Sequence, residues 1–231
     1  MNRLRLAYVC LCLLTMCVLS ACQPESMTAE RLIDECAQAM GGIDSLETMR
    51  LVQSWPDHEG LIRYEFRRPN LVRMGDSLVF DGQQASWLPG MSPDGTLLVP
   101  QEEWKDFEAD MAWYVPAFFD HPAEYLGMET VDGIETHILQ VTLPLGAVMT
   151  YNLDAETYLV YRAALRVVLY GEEYQSERTF LDYRSVDGIL YPHAFTYASR
   201  DGTEVLTAAM ESIEFNVHLG DDRFAVPSVG D

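Results

Sequence analysis

Five Asp-Gly pairs, at 81–82, 94–95, 132–133, 187–188 and 201–202, punctuate this chain. Such a pair accepts positive φ at both residues, which a two-residue β-hairpin requires. The runs around the pairs alternate. Ile62, Tyr64 and Phe66 point one way, and Arg63, Glu65 and Arg67 the other. Met149, Tyr151 and Leu153 alternate with Val148, Thr150 and Asn152; Leu165, Val167 and Leu169 form another stripe, and Phe195 and Tyr197 another. A period of two joined by tight turns makes an antiparallel meander. Strands of the usual 5–6 residues give about ten of them.

Two segments break the period. In 28–40, Leu32, Cys36 and Met40 share a helical face, with Ile33 and Ala37 beside it. Thr28 can cap this helix and Gly41-Gly42 can stop it. Asp44 followed by Glu47 has the form of a second, short cap before Leu46 and Met49. Residues 101–125 carry Trp104, Phe107, Trp113, Tyr114, Phe118, Phe119 and Tyr125, with Pro116 and Pro122 breaking any single helix. This predicts short helices across one face or mouth of the sheet, either capping the core or forming a movable apolar lid.

Residues 1–21 read as a signal peptide. Arg3 and Arg5 form a basic start, and Leu6 to Leu19 an apolar run too short to span a bilayer. The run ends in Leu19-Ser20-Ala21-Cys22, which resembles the lipobox of bacterial lipoproteins, in which the cysteine is acylated and becomes the new N-terminus. Residues 22–27 are then a lipidated linker and 28–231 a single domain. Gln23 rather than Asp after the cysteine favours the outer membrane under the enterobacterial sorting rule. Cys10, Cys12 and Cys17 leave with the signal, so Cys36 stands alone as a small buried hydrophobe and no internal disulfide is expected.

The chain has 15 Lys+Arg against 36 Asp+Glu, a formal charge of −21. Loss of residues 1–21 removes two arginines and no acid. That balance excludes a nucleic-acid surface and electrostatic docking on anionic lipid. Membrane attachment would rest on the Cys22 lipid, and any lipid cargo would be held by apolar contact rather than by basic head-group recognition. No cofactor is implied and no catalytic motif is present: His-Glu-x-x-His, Gly-x-Ser-x-Gly and a phosphate loop are all missing. Asp120, His121 and Glu124 are metal-ligand types, but Pro122 spoils helical spacing between them.

Three patches together resemble the LolA/LolB superfamily of periplasmic lipoprotein carriers and receptors. The first is Arg67-Arg68-Pro69-Asn70-Leu71. The second is Leu78-Val79-Phe80-Asp81-Gly82 with Trp87. The third is the tail, with Asp182-Tyr183, Asp187-Gly188, Tyr191-Pro192, Asn216 and Phe224-Ala225-Val226-Pro227. The resemblance implies a mainly β fold: an unclosed antiparallel barrel over a hydrophobic cavity, with helices as a lid, binding acyl chains of lipoproteins or other lipids as a monomer. It assigns Arg68, with Pro69 and Asn70, to a turn that holds the lid; an ion pair of Arg68 with an acid such as Glu65 is the alternative. It makes Trp55, Tyr64, Phe66, Trp87, Trp104, Phe107, Trp113, Phe118 and Phe119 candidates for the cavity wall. The receptor's protruding apolar loop has no counterpart between the strands flanking Gly75-Asp76. A second functional class is therefore a regulatory or structural envelope lipoprotein whose concave face binds a protein or a stress signal.

Overall fold

The computed structural model describes residues 26–92, 95–198 and 205–227. The expected signal segment, Cys22 and the Asp201-Gly202 turn lie outside them. In chain order the strands are β1 Thr48–Ser54, β2 Leu61–Arg67, β3 Leu71–Met74, β4 Leu78–Phe80, β5 Ala85–Trp87 and β6 Ala123–Val131. They continue with β7 Ile134–Thr142, β8 Val148–Asp154, β9 Val160–Leu169, β10 Glu172–Val186, β11 Ile189–Ala198 and β12 Val205–Phe215. These twelve exceed the expected ten because β3, β4 and β5 are three or four residues long, too short to show a period.

All twelve join one antiparallel sheet in the order β5-β4-β3-β2-β1-β12-β11-β10-β9-β8-β7-β6. The first and last strands are neighbours at its centre, with Met49 opposite Phe215 and Ser54 opposite Ala209. The edges, β5 and β6, do not pair with each other, so the barrel is unclosed. Asp132-Gly133 and Asp187-Gly188 are two-residue loops with both φ positive. Tyr170-Gly171 turns β9 into β10 in the same way without an Asp. Asp81 serves a longer loop, its carboxylate accepting from the N–H groups of Gln83 and Gln84 at 2.9 and 2.8 Å.

Helix α1, Ala29–Ala39, starts at Thr28, whose hydroxyl accepts from the Arg31 N–H, and buries Leu32 and Cys36. Burial pushes the Cys36 thiol up to about 12, which leaves it inert. The helix ends at Gly41 and Gly42, both at positive φ. A Cβ on Gly41 would come within 2.2 Å of the Gly188 carbonyl, so only glycine lets the helix end meet the β10–β11 turn. The short cap expected at Asp44 and Glu47 is a single 3-10 turn, Ile43–Ser45, with no side-chain cap. The Glu47 N–H goes instead to the Asn216 side chain at 3.0 Å, because β1 begins one residue later.

The chain end folds over the outer face of β2–β4. Leu219 and Phe224 bury Val79 there, apart from the main core. Glu65 faces this outer side yet is only 2 % exposed. It accepts from Arg50 Nε at 3.0 Å and from Arg223 Nε and Nη2 at 2.8 and 2.6 Å. Burial alone would raise its pKa, but the Arg223 and Arg50 hydrogen bonds outweigh that and hold the carboxyl below the usual range. Its stabilisation is therefore present above the unfolded value of ~4.3 and fades as pH falls through the lowered folded value. Glu65→Gln is expected to cost about 2 kcal/mol. Hydrogen-exchange mass spectrometry should show residues 219–224 opening first, both in that variant and in the native chain on acidification.

Candidate functional site

The connection from β5 to β6 joins the two edges of the sheet, and its first stretch bridges β5, where the Trp87 N–H donates to the Leu97 carbonyl at 2.7 Å and the Val99 N–H to the Ala85 carbonyl at 3.1 Å. It includes helix α2, Trp104–Ala112, and a 3-10 turn, Ala117–Phe119. Pro116 separates the two, as its missing N–H and fixed φ require. The segment does more than cover the mouth. Trp113, Tyr114, Val115 and Phe118 are each at most 5 % exposed, packed into the concave face within the main core. Tyr114 lies 5.0 Å from Phe66 and 5.5 Å from Tyr64, ring centre to ring centre, and Phe118 meets Tyr151 edge to face at 5.1 Å. The interior is thus filled by the chain's own aromatic plug. Beside Trp113, Phe180 and Tyr183 a void of about 10 Å³ remains, enough for about one water. A larger groove of about 520 Å³ lies on the outer face and has a mixed wall, with Val52, Leu61, Ile62 and Met74 beside His58, Arg63, Glu65, Asp76 and Arg223.

A short series of side-chain hydrogen bonds holds the plug. Tyr151 on β8 donates to the Ala112 carbonyl and accepts from the Ala117 N–H, both at 2.9 Å. Tyr191 on β11 donates to the Tyr114 carbonyl at 2.9 Å. Gln53 Oε1 on β1 accepts from the Tyr114 hydroxyl at 3.2 Å and from Trp55 Nε1 at 3.1 Å. Glu108 on α2 accepts from the Leu145 N–H in the β7–β8 turn at 2.8 Å. At the far end Arg68 closes the segment. Its Nε and Nη2 donate to the Asp120 carboxylate at 2.9 and 2.8 Å, and Nη1 donates to the carbonyls of Leu46, at 2.9 Å, and Asp44.

Arg68 therefore bridges the residue that ends the plug to the loop between α1 and β1. It does not pair with Glu65, which faces the other side of β2 and belongs to Arg50 and Arg223. Asn70 donates to the Gly82 carbonyl at 3.3 Å, tying the Pro69 turn to the β4–β5 loop. The expected wall residues divide into two groups. Trp55, Tyr64, Phe66 and Trp87 belong to the strand side, Trp55 meeting Phe195 at 5.4 Å. Trp104, Phe107, Trp113, Phe118 and Phe119 belong to the plug. Among the described residues no group of three metal-ligand side chains gathers. Asp120 is committed to Arg68.

Sequence reasoning missed Gln53, Tyr151, Tyr191 and Arg178, all on strands. Arg178 lies on β10 in the inward row with Phe180. Its guanidinium carbon sits 4.6 Å over the Trp113 ring, 5.2 Å over Tyr114 and 4.6 Å over Phe195. An arginine in an otherwise apolar inward row was the available signal. Its charge acts on two acids of α2. Burial, with repulsion from Asp106, pushes the Asp110 carboxyl up to about 7, against the pull of Arg178. Burial likewise raises Asp106, again against Arg178, with Glu103 adding repulsion.

Two outcomes follow for the plug. Arg68→Leu is expected to leave the sheet folded while hydrogen exchange in 113–120 rises by an amount equivalent to about 2 kcal/mol; unchanged protection there would show that the bridge holds nothing. Released Asp110 titrates near ~3.9 and docked Asp110 near about 7, so docking of α2 weakens as pH rises between them and levels off above. Exchange in α2, corrected for its intrinsic pH dependence, should follow that course, and Asp110→Asn should flatten it.

No family model and no curated protein matches the chain. Solved structures do. A LolA superfamily protein from Nitrosomonas europaea superposes with a TM-score of 0.55 at 16% identity, covering 87% of this chain and 98% of that one. A domain assigned to outer membrane lipoprotein sorting, from Vibrio parahaemolyticus, gives 0.51 at 12% identity, with 85% and 95% covered. A DUF1329 family protein from Desulfovibrio piger gives 0.51 at 13%, with 87% and 98% covered. The unclosed sheet with its inserted helical segment is the LolA-type fold.

Proposed function

We propose that this chain is an envelope lipoprotein that takes up an acyl chain of a lipid or lipoprotein in the space its aromatic plug now fills. In this reading the lipid on Cys22 anchors it to the periplasmic face of the outer membrane, and it has no catalytic centre. One observation carries the reading: the plug is an apolar body held in the concave face by side-chain hydrogen bonds from the wall rather than by a backbone ladder. Each such bond contributes about 1 kcal/mol. A sixteen-carbon chain gains about 12 kcal/mol on leaving water, at roughly 0.8 kcal/mol per CH₂. A guest of that size can offset the loss of the plug's hydrogen bonds and, being apolar, covers the wall that the plug leaves, where a small polar ligand cannot. The names of the structural neighbours, a LolA superfamily protein and a lipoprotein-sorting domain, agree with such a guest.

Because guest and plug compete, weakening the plug strengthens binding. Tyr151→Phe removes the bond to Ala112 and leaves the Ala117 N–H without its acceptor. At about 2 kcal/mol, this variant is expected to bind a palmitoylated peptide up to about thirtyfold more tightly than the native chain. Displacement of an apolar fluorophore would measure it. Failure of both proteins to bind any acylated probe would reject the lipid reading and favour a concave face that serves a protein or a stress signal.

A further inference from the structure

Among the described residues Arg178 is the one buried arginine or lysine, 8 % exposed. Its Nε and Nη1 are buried and meet no hydrogen-bond partner. Guanidinium groups are rarely left so, because buried charged donors without acceptors are costly. Three aromatic faces offset part of the cost. Two of them, Trp113 and Tyr114, belong to the plug, and only Phe195 belongs to the wall. Withdrawal of the plug strips the cation of two faces and vacates the space beside it. An acceptor of negative charge is then what the site lacks, and a carboxylate oxygen can take a charge-assisted bond from Nε or from Nη1. One cation balances one negative charge. Asp106 and Asp110, the acids within electrostatic reach of Arg178, sit on α2 and leave with the plug.

We infer that Arg178 is an internal head-group anchor, and that the guest is an amphiphile with a single negative charge, a long-chain carboxylate. Its head seats on Arg178, and its tail takes the place of Trp113, Tyr114 and Phe118. This rests on the acyl-binding reading above and narrows it to an acidic lipid. The sequence alone, so short of basic residues, suggested apolar contact without head-group recognition. The interior shows the one cation that changes that expectation.

The test uses residues 22–231, which contain every described element, at pH 8 with monomeric probes and an apolar fluorophore to be displaced. Palmitate is expected to bind at least about tenfold more tightly than hexadecanol, which has the same tail and no charge. Arg178→Met, similar in length and uncharged, should remove that preference by weakening palmitate alone. Equal affinities in the native chain, or a preference that survives in Arg178→Met, would overturn the anchor while leaving the apolar site standing. Binding of neither probe would instead reject the acyl-binding reading. Saturable acetate binding that Arg178→Met abolishes would make this a site for free anions and overturn the amphiphile. The native comparison of palmitate with hexadecanol decides the matter even if the variant does not fold.

Discussion

Everything inside this barrel depends on one topological constraint: the two strands that would have to pair to close it are joined by the segment that fills it. β5 and β6 are the sheet's edges, and the chain must travel from one to the other. The route across the open side is apolar and aromatic, so it sinks into the concave face. Closure by hydrogen bonds between edges would have made a sealed core. Closure by a proline-broken connection makes a stopper, because beyond the short bridge of Leu97–Val99 to β5 its backbone joins no ladder.

Two buried charges show how differently the two faces of the sheet are treated. Glu65, on the outside, is fully paired by Arg50 and Arg223, and it fastens the chain end to β2. Arg178, on the inside, is stacked but unpaired. A satisfied buried charge rigidifies its surroundings, whereas an unsatisfied one is tolerated only where something else is gained. The outer face is therefore built for permanence. The inner face holds its charge in reserve beneath the plug.

Much of the architecture was legible in the sequence. Period-two runs and Asp-Gly pairs mark antiparallel hairpins, and the turns at 132–133 and 187–188 have the backbone that such pairs favour. The aromatic segment 101–125 stood out by composition, and its prolines marked its breaks. The filling of the barrel was not legible: Trp113 and Phe118 read equally well as a lid, a cap or a wall, since burial depends on which surface the segment meets. Arg68 was found through a turn motif, but its partner was not, because Asp120 is brought near only by the path of the plug. Gln53, Tyr151 and Tyr191 were hidden by their ordinary place in strand patterns; that they aim at the plug's backbone is a fact of tertiary geometry. Tyr170-Gly171 escaped because glycine at the second position carried the turn without the usual first residue.

The pairing of β1 with β12 also governs when this molecule can exist at all. The strand made first must wait for the strand made last. Until residues 205–215 have emerged, β1 and β11 each present an open row of backbone donors and acceptors at what becomes the middle of the sheet. A chain cut short between the end of β11 and Val205 does not lose a peripheral piece. It leaves two complementary half-sheets with sticky inner borders, the kind of edge that recruits a strand from another molecule. The centre of this sheet is the last place to be completed, and premature termination therefore leaves a nucleus for strand exchange.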